Sequence, residues 1–171
     1  MTLPYVRIVE PDPEWPALFA QLRDRAVTAL GELVVRVEHV GSTSVPGLGA
    51  KPVVDLDVVI RSRDDLPEAI RRLSAYGWEH LGDLGITGRE AFSRPPGLPT
   101  ANLYVCAENS DELRRHCAFR DYLRVHPEEA AAYEALKREL AARFPADVDS
   151  YAEAKSEFVE RILRLADTVS A

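Results

Sequence analysis

Gly41-Ser42-Thr43-Ser44-Val45-Pro46-Gly47-Leu48-Gly49-Ala50-Lys51-Pro52-Val53-Val54-Asp55-Leu56-Asp57 runs from a small, hydroxyl-rich loop into two carboxylates set two residues apart. Val53, Val54, Leu56, Val58, Val59 and Ile60 surround those carboxylates with an apolar, β-branched run of strand length. Strand side chains alternate between faces, so Asp55 and Asp57 share one face. Two anions held about 7 Å apart along a strand repel each other, and partial burial adds several kcal/mol of desolvation cost unless a cation or a proton neutralises them. A divalent ion is the simplest neutraliser. An all-oxygen ligand pair suits Mg²⁺, which takes its remaining ligands from water and substrate phosphates. A pair of carboxylates on a solvated strand face is the plainer reading, against which the apolar flanks favour an interior strand.

Working outward, Val34–Val40 alternates and is β-branched, which predicts a strand delivering the chain to Gly41-Ser42, where glycine permits close backbone approach. The ten residues between Ser42 and Val53 leave room for a helical turn but not for a crossover helix, so the two strands are expected to be antiparallel neighbours. Residues 13–30 read as a helix with Trp15, Leu18, Phe19, Leu22, Ala26 and Leu30 at helical spacing, Asp12 as cap and Gly31 as stop. A second helix is expected over 67–76, capped by Asp64 or Asp65, followed by short strands around 78–81, 89–94 and 101–107. The segment Arg94-Pro95-Pro96-Gly97-Leu98-Pro99 reads as a surface hairpin loop and the first candidate for disorder. Helices are expected over 111–125, 127–144 and 150–167, each of the first two ending before a proline. A helix, a mixed sheet and a three-helix tail fit α+β better than alternating α/β, in one domain over residues 1–171.

Composition narrows the function classes. With 46% hydrophobic and 29% charged residues the chain is of globular type, and no window approaches the ~18 apolar residues of a membrane span. A formal net charge of -7 argues against a coat for a polyanion such as duplex DNA, although local basic clusters can still hold one nucleotide. Arg7, Glu10, Asp12 and Glu14 break up the start of the chain, so no secretory signal is read and a cytoplasmic location is expected. Cys106 and Cys117 lack histidines in metal-finger spacing and are expected to be reduced and at least partly buried.

A Gly-Ser pair followed about a dozen residues later by Asp-x-Asp on a strand is the signature of the nucleotidyltransferase superfamily, and twelve residues separate Ser42 from Asp55. The wider sequence resembles the GrpB family, small bacterial proteins with a nucleotidyltransferase-like fold. Residues Glu38 to Leu48, Ala50 to Asp55, Phe119-Arg120-Asp121-Tyr122-Leu123-Arg124 and His126-Pro127 carry the resemblance. Asp12-Pro13-Glu14-Trp15, Tyr151, Lys155 and Phe158 extend it over nearly the whole chain. It implies an α+β fold: a nucleotidyltransferase-like mixed β-sheet with flanking helices and a C-terminal helical layer. It also implies Mg²⁺ on Asp55 and Asp57, a nucleoside triphosphate, and a small-molecule acceptor attacking the α-phosphate in line. In some bacterial proteins a domain of this kind is joined to dephospho-coenzyme A kinase, which implies a non-catalytic helper role as the alternative.

Several side chains are candidates beside that core. Backbone N–H groups around Gly41 and the hydroxyls of Ser42, Thr43 and Ser44 can cradle phosphates. Lys51 can reach a phosphate oxygen as a point charge or remain solvated. Arg89, Arg94 and Arg120 have the guanidinium forks that suit anions, or form surface ion pairs. His39 is expected to orient the loop through a hydrogen bond, whereas His80 and His116 show no partner at ligand spacing. Two-metal chemistry needs a further carboxylate on a neighbouring strand. That strand offers Asn102 and Tyr104 on one face, where relatives tend to carry His-Leu-His, and spacing selects neither Glu90 nor Glu108 as a substitute. An active Mg²⁺-dependent transferase and an accessory module with a degenerate site are the two alternatives.

Overall fold

A computed structural model describes residues 5–169. Helix α1 (Trp15–Leu30) leads through a short 3₁₀ turn into β1 (Val34–Val40), and the Gly-Ser loop connects β1 to β2 (Val54–Ile60). Helix α2 (Leu66–Ala75), β3 (Glu79–Gly82), β4 (Arg89–Ser93) and β5 (Ala101–Ala107) follow. The chain then turns helical through α3 (Asp111–Val125), α4 (Pro127–Arg143), α5 (Val148–Ala154) and α6 (Ser156–Val169). The sheet order is β1-β2-β5-β4-β3. As the short connection predicts, β1 and β2 pair antiparallel, and β2 pairs parallel with β5, so the sheet is mixed.

Period-two alternation assigns the two faces of β2. Val54, Leu56, Val58 and Ile60 join Leu22, Ala26 and Leu30 of α1, Ala69 and Leu73 of α2, and Leu103 and Val105 of β5 in the main core. Leu56 and Leu103 are fully buried, and each such side chain contributes about 1.5–3 kcal/mol on leaving water. Asp55, Asp57 and Val59 face the other way, where Val59, Cys106 and Leu113 form a small cluster beneath α3. Leu48, Leu123, Tyr133 and Ile162 tie the helices after β5 to the Gly-Ser loop, making the helical layer on that second face. β2 is therefore an interior strand closed on both faces.

Some boundaries differ from the sequence reading. Helix α1 starts at Trp15, and Asp12 does not cap it; its carboxylate instead accepts the Glu14 N–H at 2.9 Å, shaping the turn before the helix. Ser62, not Asp64 or Asp65, supplies the side-chain cap ahead of α2, accepting the Asp64 N–H at 3.1 Å at the start of a 3₁₀ turn. The helix expected over 150–167 is two helices broken at Lys155, and Asp147 caps the first by accepting the Ser150 N–H at 3.0 Å. The proline-rich segment does connect β4 to β5, and Leu98 anchors it against the main core.

Candidate functional site

A cleft of about 300 Å³ opens between the Asp55 face of the sheet and helices α3 to α6. Gly41, Ser42, Lys51, Asp55 and Asn102 line it from the sheet side, and His116, Tyr133, Lys137, Tyr151 and Lys155 from the helical side. Gly41 has φ +71°, and a Cβ there would lie 2.2 Å from Asp55 Oδ2. Only glycine thus lets the loop backbone sit against the carboxylate. Gly49 closes the other end of the loop, donating its N–H to Glu134 Oε2 on α4 at 2.7 Å.

On the strands, Asp55 pairs in register with Asn102 and Asp57 with Tyr104. Asn102 Nδ2 donates to Asp55 Oδ1 at 2.8 Å. Burial pushes the Asp55 carboxyl up and the nearby Asp57 charge adds to this, against the Asn102 bond and the charges of Lys51 and His116. Asp57 is fully buried behind His116, whose Nδ1 lies 2.8 Å from Asp57 Oδ2. Burial alone would lower the His116 pKa, but the Asp57 bond and charge, with Glu112, raise it. The histidine that sequence spacing left without a partner therefore has one, reached across the sheet–helix interface. His80 likewise bonds Glu90 at 2.8 Å.

To Lys51, a candidate from the sequence, the helical wall adds Lys137 and Lys155, which sequence reasoning did not place at the site. The chain has three lysines, every other basic residue of the Lys/Arg set being arginine, and all three lysines line this cleft. Lys137 is 2% exposed; its ammonium donates to Ser42 Oγ at 3.0 Å and to the Gly49 carbonyl. Lys155 and Lys51 lie over the Tyr151 ring, 4.3 and 5.5 Å from its centroid. Among the described residues no carboxylate comes within salt-bridge distance of any of the three. Burial and the neighbouring Lys155 charge bring Lys137 down to about 7, and burial and Lys51 bring Lys155 down to about 8. The break between α5 and α6 falls at Lys155 itself, which lines the cleft. The rarity of lysine was the one compositional signal that pointed here.

Other candidates lie outside the cleft lining. Thr43 and Ser44 are buried within the loop, Thr43 bonding His39 Nε2 at 2.9 Å and Ser44 bonding the Gly41 carbonyl. His39 thus orients the loop as expected, and burial with the Arg124 and Arg120 charges lowers it to about 4. Arg120 is 8% exposed and held by Glu38 at 2.7 Å, the His39 carbonyl at 3.0 Å and Asp121 at 2.8 Å. It braces β1 against α3. Arg89 stacks on Tyr104 at 4.2 Å, with its Nε buried and unpartnered.

The donor set bears on Mg²⁺. Asp57 Oδ1 is a buried carboxylate oxygen without a hydrogen-bond partner, and Asp55 Oδ2 is not the oxygen that Asn102 holds. The donor set would offer a single hydrated Mg²⁺ one such oxygen from each carboxylate, but of the two only Asp55 lines the cleft, Asp57 lying buried behind it. The set does not fit a two-metal centre, because Asn102 and Tyr104 supply no third anion and no group of three or more His, Cys, Asp or Glu among the described residues is arranged to hold a metal ion.

A mixed sheet presenting Asp-x-Asp beside a Gly-Ser loop, under a helical layer, defines a nucleotidyltransferase-like α+β fold. A Cid1 poly(U) polymerase structure described as MgGTP-bound superposes with a TM-score of 0.53 at 13% identity, over 80% of this chain and 45% of that one. The GrpB protein family profile matches residues 5–165, and the chain belongs to the GrpB family. It is 34% identical to the glutamate-rich protein GrpB of Alkalihalophilus pseudofirmus, over 92% of this chain and 94% of that protein. The crystal structure of the conserved protein GrpB from Enterococcus faecalis has a TM-score of 0.84 at 33% identity, covering 94% and 96% of the two chains. YqkA of Bacillus subtilis is 31% identical over 91% of this chain, which spans 45% of YqkA's length. A dephospho-CoA kinase of Mycolicibacterium paratuberculosis is 30% identical over 94% of this chain and 46% of its own. None of the described helices is long and apolar enough to cross a membrane.

Proposed function

We propose that the cleft binds the phosphate chain of a nucleoside triphosphate with one Mg²⁺ at Asp55 and Asp57, and passes a nucleotidyl group to a small acceptor, which attacks the α-phosphate in line and displaces pyrophosphate. The observation that carries this reading is the meeting of Gly41, Ser42 and Asp55 with Lys51, Lys137 and Lys155 in one cleft. Ser42 and the lysines would hold the phosphate oxygens by charge-assisted hydrogen bonds. The ion, when bound, would neutralise charge on the oxygens of the transferred group. Transfer of this kind asks little covalent chemistry of the protein, which has to position the phosphate and stabilise developing charge.

Asn102 favours a second reading, a helper module that binds a nucleotide without catalysis, because an amide stands in register with Asp55 where the two-metal mechanism needs an anion. Likeness to part of a dephospho-CoA kinase supports the same reading. Thermal shift with ATP, GTP, CTP and UTP, with and without Mg²⁺, tests the nucleotide site. A ligand at a hundred times its Kd stabilises by about 2.7 kcal/mol, and Asp55→Asn with Asp57→Asn should remove the Mg²⁺-dependent part of that gain. An unchanged Mg²⁺ response in the double variant would make the two aspartates structural.

A further inference from the structure

We infer that the cleft recognises its ligand by the phosphate chain and leaves the base unread, so that an inorganic oligophosphate binds as well as a nucleoside triphosphate; this rests on the nucleotide reading above. Three ammonium groups converge there with no carboxylate within salt-bridge distance among the described residues, and they repel one another. A ligand carrying several negative charges relieves that repulsion, whereas a neutral nucleoside offers nothing to it.

The aromatic side chains of the cleft are already engaged. Tyr151 is 1% exposed and carries Lys155 and Lys51 over its ring. Tyr133 is 5% exposed, stacks on Phe158 with centroids 5.1 Å apart, and has Lys137 over its ring at 4.9 Å. A base would need those faces for stacking. Phe119, half-buried, stands at 82° to Tyr133 with centroids 5.2 Å apart.

Several polar groups that could read a base already have partners. The Asn102 amide is bonded to Asp55, the Ser42 hydroxyl to Lys137, and Arg115 to Glu112 and Glu160. At about 300 Å³ the cleft is also at the small end of small-molecule sites, in keeping with a phosphate chain held inside and the nucleoside directed outward.

Isothermal titration calorimetry at fixed Mg²⁺ with ATP, GTP, CTP, UTP, inorganic triphosphate and adenosine tests this. The four nucleotides and triphosphate should agree within about threefold in Kd, with no heat from adenosine. A spread above about tenfold among the bases, a tenfold preference for ATP over triphosphate, or binding of adenosine overturns the inference while leaving the nucleotide site standing. No binding by any phosphate ligand overturns both. Phe119→Ala provides a second arm: the ratio of ATP to triphosphate affinity should stay constant, and a loss confined to ATP means that the base stacks on Phe119.

Discussion

The two walls of the cleft are built in opposite ways. The sheet wall is acidic and local: Asp55 and Asn102 line it in register on β2 and β5, with Asp57 and Tyr104 two residues further along the same strands and outside the lining. The helical wall is basic and assembled from afar, with Lys137 on α4 and Lys155 at the α5–α6 break, and Lys51 joins them from the loop before β2 on the sheet side. Each wall alone is electrostatically unfavourable, since like charges gather in partial burial. Facing one another they partly compensate, as the Asp55 charge on Lys155 and the Lys51 charge on Asp55 show. On the proposed reading, the ligand of such a cleft carries both signs, an anionic chain with its cation.

The largest expected effect breaks the basic wall. Lys137→Met together with Lys155→Met removes two charge-assisted contacts of about 1.5–3 kcal/mol each, so triphosphate affinity should fall by roughly a hundredfold or more. The melting temperature should not fall in parallel, because the buried Lys137 ammonium carries a desolvation cost that methionine lacks. Calorimetry and a melting curve on the same variant separate the two, and unchanged affinity would remove the lysines from the site.

A smaller effect sharpens the acidic wall. Asn102→Asp replaces the donor that holds Asp55 Oδ1 with a third carboxylate, which should cost about 1–2 kcal/mol in a Mg²⁺-free melt. In an enzyme, added Mg²⁺ should restore the melting temperature and tighten metal binding. In a helper module the variant stays destabilised and gains no metal affinity.

The smallest effect is in pH. Lys137 near 7 and Lys155 near 8 lie below the ordinary 10.5, so between those values the folded, ligand-free protein binds fewer protons than the unfolded chain. Ligand-free stability should therefore rise with pH from about 7 to 10.5 through these two groups. Phosphate binding favours the charged lysines, so affinity should fall from pH 7 to 9, by about tenfold through Lys155 alone, with proton uptake visible as buffer-dependent heat. A pH-independent affinity would mean that both lysines are already fully charged in the free protein.

Much of the sheet wall was legible because strand periodicity is local. Val54, Leu56, Val58 and Ile60 marked one face of β2, and Asp55 and Asp57 fell on the other without reference to any distant residue. The short connection likewise fixed β1 and β2 as antiparallel. Helix ends were less legible: Ser62 rather than Asp64 or Asp65 caps the approach to α2, since several hydroxyl or carboxylate residues in a row can each serve. The break at Lys155 carries no glycine or proline.

By itself the sequence determined the α+β order of elements, the interior strand with its paired aspartates, and a glycine at the head of the loop. Each follows from alternation, spacing or backbone freedom over a few neighbouring residues. Only the tertiary structure decided that Asp57 meets His116, that Arg120 is spent on Glu38 and Asp121, and that Lys51, Lys137 and Lys155 face one cleft. Those meetings depend on how the helical layer packs across the sheet, through apolar contacts such as Leu48, Leu123, Tyr133 and Ile162 that fix distance and orientation but carry no mark of the charges they bring together.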